Sequence, residues 1–312
     1  MKKWCQRIPL PLSGVMLGMA ALGNLLQSNS EVLRTICGWL AFGMLVLLLL
    51  RLVFCPDQMK ADMKNPVLAG ISGTFPMGLM LLSVYAKPFI GKAAFIIWTL
   101  AIALHIALII YFTVTFIFHL KLKDVFTVYY IVYVGIVVAS VTAPAYNAAA
   151  FGNGAFWFGF ICFLFLFVLV TVRYIRIPVP EPARSLAVIY AAPLSLCVAG
   201  YVQSGTPKSY PFLMAMAVGA NLIYLAALVQ AVRCLKLPFY LYPSCAAFTF
   251  PLVITAIATK QTMMCAAKMG HPLPVLRPIV VAETVIAAAF VVYVFCRYMA
   301  VIFRPLSKSE KS

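Results

Sequence analysis

The stretch Ala247-Phe248-Thr249-Phe250-Pro251-Leu252-Val253-Ile254-Thr255 places a proline in the middle of an uncharged segment long enough to cross a membrane. A proline inside a helix removes one backbone hydrogen bond and kinks the chain, and a membrane tolerates this only where neighbours or water satisfy the freed carbonyl. The same Thr-Phe-Pro tripeptide occurs at Thr74-Phe75-Pro76, and related prolines follow small residues at Pro144 and Pro193. The repetition predicts kinked helices around a pore.

The composition excludes an ordinary soluble domain. Of the 312 residues, 64% are hydrophobic and 10% are charged, and the mean hydropathy is +1.03. The apolar segments are too long and too many to share one water-soluble core. The N-terminal stretch has no convincing cleavage site, so we expect it to stay in the fold as part of the first span.

The charge balance favours anions. The chain has 24 Lys and Arg against seven Asp and Glu. Excess Lys and Arg in cytoplasmic loops explain part of this, and no nucleic-acid partner is predicted. A conduit through a chain so poor in acids would favour anions over cations.

No motif of an enzyme or a metal site is present in the sequence. The nine cysteines are scattered through apolar segments without CxxC or Cys/His spacing, and neither a phosphate loop nor a dinucleotide fingerprint occurs. We therefore expect buried structural thiols, no cofactor, no metal and no enzymatic activity.

Charged residues divide the chain into ten predicted membrane-spanning helices in an all-α, polytopic, single transmembrane domain covering residues 1–312. A span needs about 20 apolar residues. The predicted spans are 9–27, 35–55, 66–86, 93–119, 125–146, 152–174, 185–203, 210–234, 241–260 and 278–303. Arg51 lies close enough to the end of the second span to snorkel to the interface.

The distribution of basic residues predicts the orientation. With these spans, 17 of the 24 Lys and Arg fall on one side and seven on the other. By the positive-inside rule both termini are cytoplasmic, in a multi-pass protein of the cell (inner or plasma) membrane. On the other side, Lys87, Lys92, Lys260, Lys268 and Arg277 are candidates for a positive outer vestibule, or for a set of solvated loop residues.

The predicted helices alternate in character. Every odd-numbered helix carries proline and collects small or hydroxyl residues, whereas the even-numbered helices are uniformly apolar. The simplest packing is five helical hairpins in a quasi-fivefold arrangement, with the odd helices around a central pore. The residues expected to line or kink this pore are Pro11, Gly14, Gly18, Thr74, Pro76, Thr142, Pro144, Pro193, Thr249, Pro251 and Thr255.

The order and spacing of several stretches resemble the tellurite-resistance/dicarboxylate transporter family, which includes TehA-like proteins and the slow anion channels of plant guard cells. The matching stretches are residues 11–18, 65–67, 75–82, 191–193 and 248–251. The resemblance implies ten helices in quasi-fivefold hairpins, a homotrimer with one pore per protomer, and anion conduction occluded by a phenylalanine. The occluding ring maps onto Phe250, and a second aromatic ring maps onto Phe75.

The first functional hypothesis is a gated channel in which small anions pass passively through a pore closed by Phe250 and Phe75. The alternative is a proton-coupled secondary transporter of C4-dicarboxylates, sulfite or tellurite-related oxyanions, with Glu283 as the proton-coupling carboxylate. A third possibility is a membrane scaffold whose pore stays shut, against which the polar residues of the odd helices argue. His105, midway along the fourth span, is expected to pack as a neutral imidazole.

Overall fold

The computed structural model describes residues 2–205, 207–235 and 243–304, and within these ranges the chain forms helices and no strand. Lys236, Lys308 and Lys311, and residues 241–242 at the start of the predicted ninth span, lie outside the described residues. In chain order the helices of six residues or more are α1 (Leu12–Leu26), α2 (Glu31–Phe54), α3 (Pro56–Met63), α4 (Pro66–Ile90), α5 (Lys92–Ile117), α6 (Val128–Tyr133), α7 (Val137–Tyr146), α8 (Ala149–Arg176), α9 (Glu181–Gln203), α10 (Tyr210–Cys234), α11 (Pro243–Lys268) and α12 (Leu276–Ile302).

Eight helices of the described ranges are long and apolar enough to cross a membrane, which makes the chain a multi-pass membrane protein. These eight are α2, α4, α5, α8, α9, α10, α11 and α12. The predicted spans 9–27 and 125–146 are represented by shorter apolar helices, α1 and the broken pair α6–α7.

The long helices fall into two groups that differ in burial. In the most apolar part of α4, α9 and α11, between 67% and 83% of the residues are buried. In α2, α5, α8, α10 and α12 the share is only 22–33%, although these helices are the more apolar. Their large apolar side chains, such as Trp39, Phe165 and Val285, are exposed because they face the lipid.

The buried elements contact one another in a closed circuit. Helix α1 packs against α4, α4 against α7, α7 against α9, α9 against α11, and α11 against α1. Each also packs against the helix that follows it, so that α2, α5, α8, α10 and α12 lie outside the circuit. We call α1, α4, α6–α7, α9 and α11 the inner elements.

Four inner elements contain a break in their α-helical geometry, and the fifth, α1, starts beside a proline. Helix α1 begins directly after Pro11, α4 is interrupted at Gly73, and Gly135 lies in the gap between α6 and α7. Helices α9 and α11 change from 3-10 to α geometry at Ala191 and at Phe250.

The prolines beside the breaks start half-helices instead of kinking continuous ones. Pro76, Pro193 and Pro251 all lie in the first turn of an α-helical half. At that position a proline removes no intrahelical hydrogen bond, because the first N–H groups of a helix have no acceptor in it. The breaks therefore cost less than interior kinks.

The chain ends lie together on one side. The Trp4 Nε1 donates to the carbonyl oxygen of Ile302 at 3.1 Å, and Arg7 donates to that of Arg304 at 2.6 Å. Arg51 does not snorkel but is buried on this side, because its guanidinium donates to Asp62 Oδ2 at 2.5 Å and to the carbonyl oxygen of Ile8 at 2.6 Å. Burial raises the pKa of the Asp62 carboxyl, and the neighbouring guanidinium opposes that rise.

Candidate functional site

Two cavities lie one behind the other among the inner elements. The narrow cavity, on the side of the chain ends, has a volume of about 50 Å³, and the wide cavity, on the opposite side, has about 660 Å³. Leu196 of α9 and Phe250 of α11 line both cavities. Phe250 thus lies where the two cavities meet, and it is 7% exposed.

The narrow cavity lies at the level of the breaks. All five inner elements contribute residues at or beside their break, or in α1 beside its start, to its wall, namely Pro11, Gly14, Thr74, Val134, Gly135, Ala192, Pro193, Ala247, Phe250 and Pro251. From this level the half-helices run toward the wide cavity, whose wall includes later residues of each, such as Ala21, Leu81, Thr142, Gln203 and Lys260. Five half-helices therefore direct their N-terminal, partially positive ends toward the narrow cavity.

The backbone of Phe250 is held against α1. Thr249, just before the ring, has φ −93° and ψ −89°, outside helical geometry, and its Oγ1 lies 3.0 Å from the carbonyl oxygen of Gly14 and 2.7 Å from that of Ala246. Gly18 permits this approach, because a Cβ there would lie 2.6 Å from the Thr249 Cβ and 2.9 Å from the Phe250 nitrogen. The close contact between the backbones of α1 and α11 therefore fixes the position of the Phe250 Cα, from which the ring extends.

The hydroxyl groups of the inner elements bond to one another and to the backbone. Ser13 Oγ lies 2.7 Å from Thr74 Oγ1, and Ser195 Oγ lies 2.9 Å from Thr255 Oγ1. Thr142 donates to the carbonyl oxygen of Val138 and accepts from Trp98 Nε1 at 2.8 Å. These groups stabilise the packing of neighbouring inner elements.

The predicted pore residues separate into two sets. Pro11, Gly14, Thr74, Pro193, Phe250 and Pro251 line the narrow cavity, and Thr142 lines the wide one together with Phe250. Neither cavity is lined by Gly18, Phe75, Pro76, Pro144, Thr249 or Thr255. Of this second set, Gly18 and Thr249 form the contact between α1 and α11 that holds the Phe250 backbone.

Phe75 and Pro76 line a third, lateral cavity of about 350 Å³ between α2, α3, α4 and α5. Its wall also includes Arg51, Met63 and Tyr111. Phe75 therefore faces a different cavity from Phe250.

Pro144 lies in an exposed 3-10 turn at the end of α7, so the break of this inner element is at Gly135 instead. A Cβ at Gly135 would lie 2.1 Å from the carbonyl oxygen of Ile131 and 2.9 Å from His105 Cε1. The His105 Nε2 is 2.9 Å from the carbonyl oxygen of Val132, a group that the break leaves without a helical partner. The signal was present in the sequence, because Gly135 is the single glycine between residues 125 and 146.

The wide cavity carries the polar and charged side chains of the site. Its wall includes Asn24, Gln27, Glu31, Arg34, Lys260 and Gln261. Lys260 Nζ donates to the carbonyl oxygen of Leu25 at 3.0 Å and to Ser28 Oγ at 2.5 Å. Of the five predicted vestibule residues, only Lys260 lines this cavity. Lys87 donates instead to the carbonyl oxygen of Ala145.

Glu283 lies elsewhere. It lines a fourth cavity, between α10, α11 and α12, that shares no wall residue with the narrow or the wide cavity. Across the described ranges no group of three His, Cys, Asp or Glu side chains could hold a metal ion.

A comparison with protein families identifies the family of the chain. The family described as voltage-dependent anion channel (SLAC1) matches residues 7–299, and no curated protein matches the chain. Members of this family are channels or transporters of anions. Since the match covers nearly all of the 312 residues, the chain belongs to the SLAC1 family of plant slow anion channel homologues and TehA-like proteins.

Proposed function

We propose that this protein is a gated anion channel, in which small anions pass passively through a central pore that the Phe250 ring closes. The observation that carries the proposal is the position of Phe250 between the narrow and the wide cavity. An apolar ring at a constriction blocks ions both by its volume and by excluding water. Phe75 is not part of the proposed gate, because it lines the lateral cavity and neither of the other two.

The pore is formed by ten spans in five hairpins with quasi-fivefold arrangement. The closed circuit of contacts among the inner elements supports this, as does the alternation of buried and lipid-facing helices. In this proposal α1 and α6–α7 are the two remaining spans, shortened by the start of α1 at Leu12 and by the break between α6 and α7. The family supports a homotrimer in the cell (inner or plasma) membrane. The distribution of Lys and Arg supports cytoplasmic termini.

Selectivity follows from the potential in the pore. In the described chain no Lys or Arg lines the narrow cavity, so the attraction on an anion there comes from the N-terminal ends of half-helices. The C-terminal ends of the preceding segments, at residues such as Ile71 and Ile189, reduce that attraction. Such weak and distributed attraction favours fast passage of small inorganic anions over tight binding of one species. Lys260 in the wide cavity raises the local concentration of anions before the constriction.

Proton-coupled transport is not favoured. Glu283, the carboxylate available for coupling, does not line either cavity beside Phe250. The narrow cavity, at about 50 Å³, also offers little room for a C4-dicarboxylate.

The test is the current carried by the purified protein in planar bilayers, for wild type, Phe250→Ala and Phe248→Ala. Phe248 is the matched control, because its buried ring packs on Phe290 of α12 at a centroid distance of 5.9 Å and lines neither cavity. In symmetrical chloride, and then in a chloride gradient, we expect Phe250→Ala alone to give a large current that reverses near the chloride equilibrium potential.

Two results would contradict the proposal. One is equal, small currents for all three proteins, each shown by size-exclusion chromatography to be folded. The other is uptake of a dicarboxylate into liposomes that depends on a proton gradient and on Glu283.

A further inference from the structure

Three buried polar groups without partners line one cavity. In the part of the chain that the structure describes, neither carboxylate oxygen of Glu283 has a hydrogen-bond partner, and the same holds for the hydroxyl groups of Tyr224 and Thr262. Glu283 is 3% exposed, Tyr224 3% and Thr262 1%. All three line the cavity between α10, α11 and α12, which has a volume of about 460 Å³. We call it the α10–α12 cavity.

Two donors beside Glu283, on Thr259 and Asn221, bond to other groups. The Thr259 hydroxyl lies beside Glu283, but its single proton is directed to the carbonyl oxygen of Thr255 at 3.1 Å. Asn221 Nδ2 donates to the carbonyl oxygen of Ala217 at 3.0 Å and to Thr259 Oγ1 at 3.3 Å. A buried carboxylate without a donor is costly. The hydroxyl groups of Tyr224 and Thr262 face the same cavity without reaching the carboxylate. A molecule in the cavity that carries several donors would bond to all three groups.

The mouth of the cavity opens toward the hydrocarbon of the membrane. The apolar wall residues Val218, Leu222, Leu225 and Ile279 are 40–64% exposed. Among the described residues no Lys or Arg lines the cavity. A molecule that enters here needs an apolar body to pass the mouth and a donor to meet the carboxylate.

We propose that the α10–α12 cavity binds a protonated primary amine on a single apolar chain. An ammonium group has three donors. One meets the Glu283 carboxylate, and the others meet the hydroxyl oxygens of Tyr224 and Thr262, while the chain lies along the apolar mouth. This site is independent of the channel function proposed above.

The position of Glu283 selects a simple alkylamine over an aminophospholipid. Glu283 is seven residues into α12, which places it about 10 Å along the helix from its start at 1.5 Å per residue. An aminophospholipid that reached this depth would carry its phosphate into a cavity without a basic side chain in the described chain. Burial of that charge is unfavourable.

The experiment uses dodecylamine with a photoreactive diazirine in its tail, added to the purified full-length protein in detergent, with labelled peptides identified by mass spectrometry. We expect labelling near Leu222 and Ile279 that unlabelled dodecylamine competes away. Glu283→Gln is expected to lower this labelling at least about tenfold, as the loss of a hydrogen-bonded charge does. Glu181→Gln, which changes an exposed glutamate on the other side of the protein, is the matched control and is expected to label as wild type.

A second variant fills the mouth of the α10–α12 cavity and keeps the Glu283 carboxylate. Ala282→Trp places an indole at the mouth, where Ala282 is exposed, and is expected to abolish the labelling. If Glu283→Gln does not fold, the proposal is tested by Ala282→Trp and by the competition experiment on the wild-type protein. Equal labelling in a folded Glu283→Gln, equal competition by dodecan-1-ol, or the absence of any saturable labelling would each overturn the proposal, the last because water or a second protomer then fills the cavity.

Discussion

Thr74-Phe75-Pro76 and Thr249-Phe250-Pro251 are the same three residues in two inner elements, but they present different side chains to the narrow cavity. In α11 the phenylalanine lines it, whereas in α4 the threonine lines it and Phe75 faces a lateral cavity. The α-helical half of α4 begins at Thr74, and that of α11 begins at Phe250. The two tripeptides therefore differ by one residue in their position relative to the helix start.

A shift of one residue is large on a helix, because successive side chains are about 100° apart. In both elements the first α-helical residue faces the narrow cavity. In these two elements, the side chain that meets the narrow cavity therefore follows the start of the half-helix and not the tripeptide.

The largest expected effect separates the two phenylalanines. Phe250→Ala is expected to raise the chloride conductance by more than about tenfold, a barrier lowered by about 1.4 kcal/mol or more, because it removes the ring between the cavities. Phe75→Ala is expected to leave the conductance at the wild-type level, because its ring faces away. Single-channel and macroscopic currents in planar bilayers measure both, and a large current in folded Phe75→Ala would remove the distinction between the two sites.

The second prediction transfers the ring. Thr74→Phe in the Phe250→Ala background is expected to lower the current again, because Thr74 faces the narrow cavity at the position equivalent to Phe250. Thr74→Val in the same background is the control, since it also removes the hydrogen bond to Ser13 but adds no ring. If both double variants conduct like Phe250→Ala, the pore is not constricted at the depth where the α-helical halves of α4 and α11 begin.

Much of this arrangement could be predicted from sequence. The alternation of proline-rich and apolar helices predicted the inner and outer groups, because lipid exposure selects uniformly apolar faces. The assignment of Phe250 stays a prediction, to which the structure adds a position between two cavities. Phe75 was assigned by the same tripeptide, and the sequence does not reveal at which residue the second α-helical half of α4 begins.

Gly135 and Leu196 show two further limits. The search for prolines led to Pro144, although the break of that element depends on the close approach of Met77 and His105 to a residue without a side chain. Leu196 is an ordinary apolar residue in sequence, and only the packing of α9 beside α11 places it next to Phe250. The position of the break at Gly135 and the place of Leu196 in the cavity wall both depend on contacts between elements that are distant in the chain.

The third prediction compares two glycines of α1 that face α11. A Cβ at Gly18 would collide with Thr249 and the Phe250 backbone, whereas at Gly14 it would meet the Ala246 Cβ at an ordinary 3.5 Å. Gly18→Ala is expected to lower the free energy of unfolding by about 1–3 kcal/mol, as overpacking does. Gly14→Ala is expected to change it by less than about 1 kcal/mol, because relief of glycine flexibility offsets the contact. Denaturant unfolding in detergent micelles measures both, and equal losses would mean that α1 does not hold the Phe250 backbone.

The smallest expected effect concerns two lysines that follow the two tripeptides. Lys260 of α11 lines the wide cavity, while Lys87 of α4 donates to the carbonyl oxygen of Ala145 and lines neither cavity. In the Phe250→Ala background, Lys260→Gln is expected to lower the chloride conductance about twofold at about 0.01 M salt, where the Debye length is about 30 Å, and to have no effect at about 1 M, where it is about 3 Å. Lys87→Gln is expected to have no effect at either concentration. A twofold loss that persists at high salt would assign Lys260 a structural role through its bonds to Leu25 and Ser28 instead of an electrostatic one.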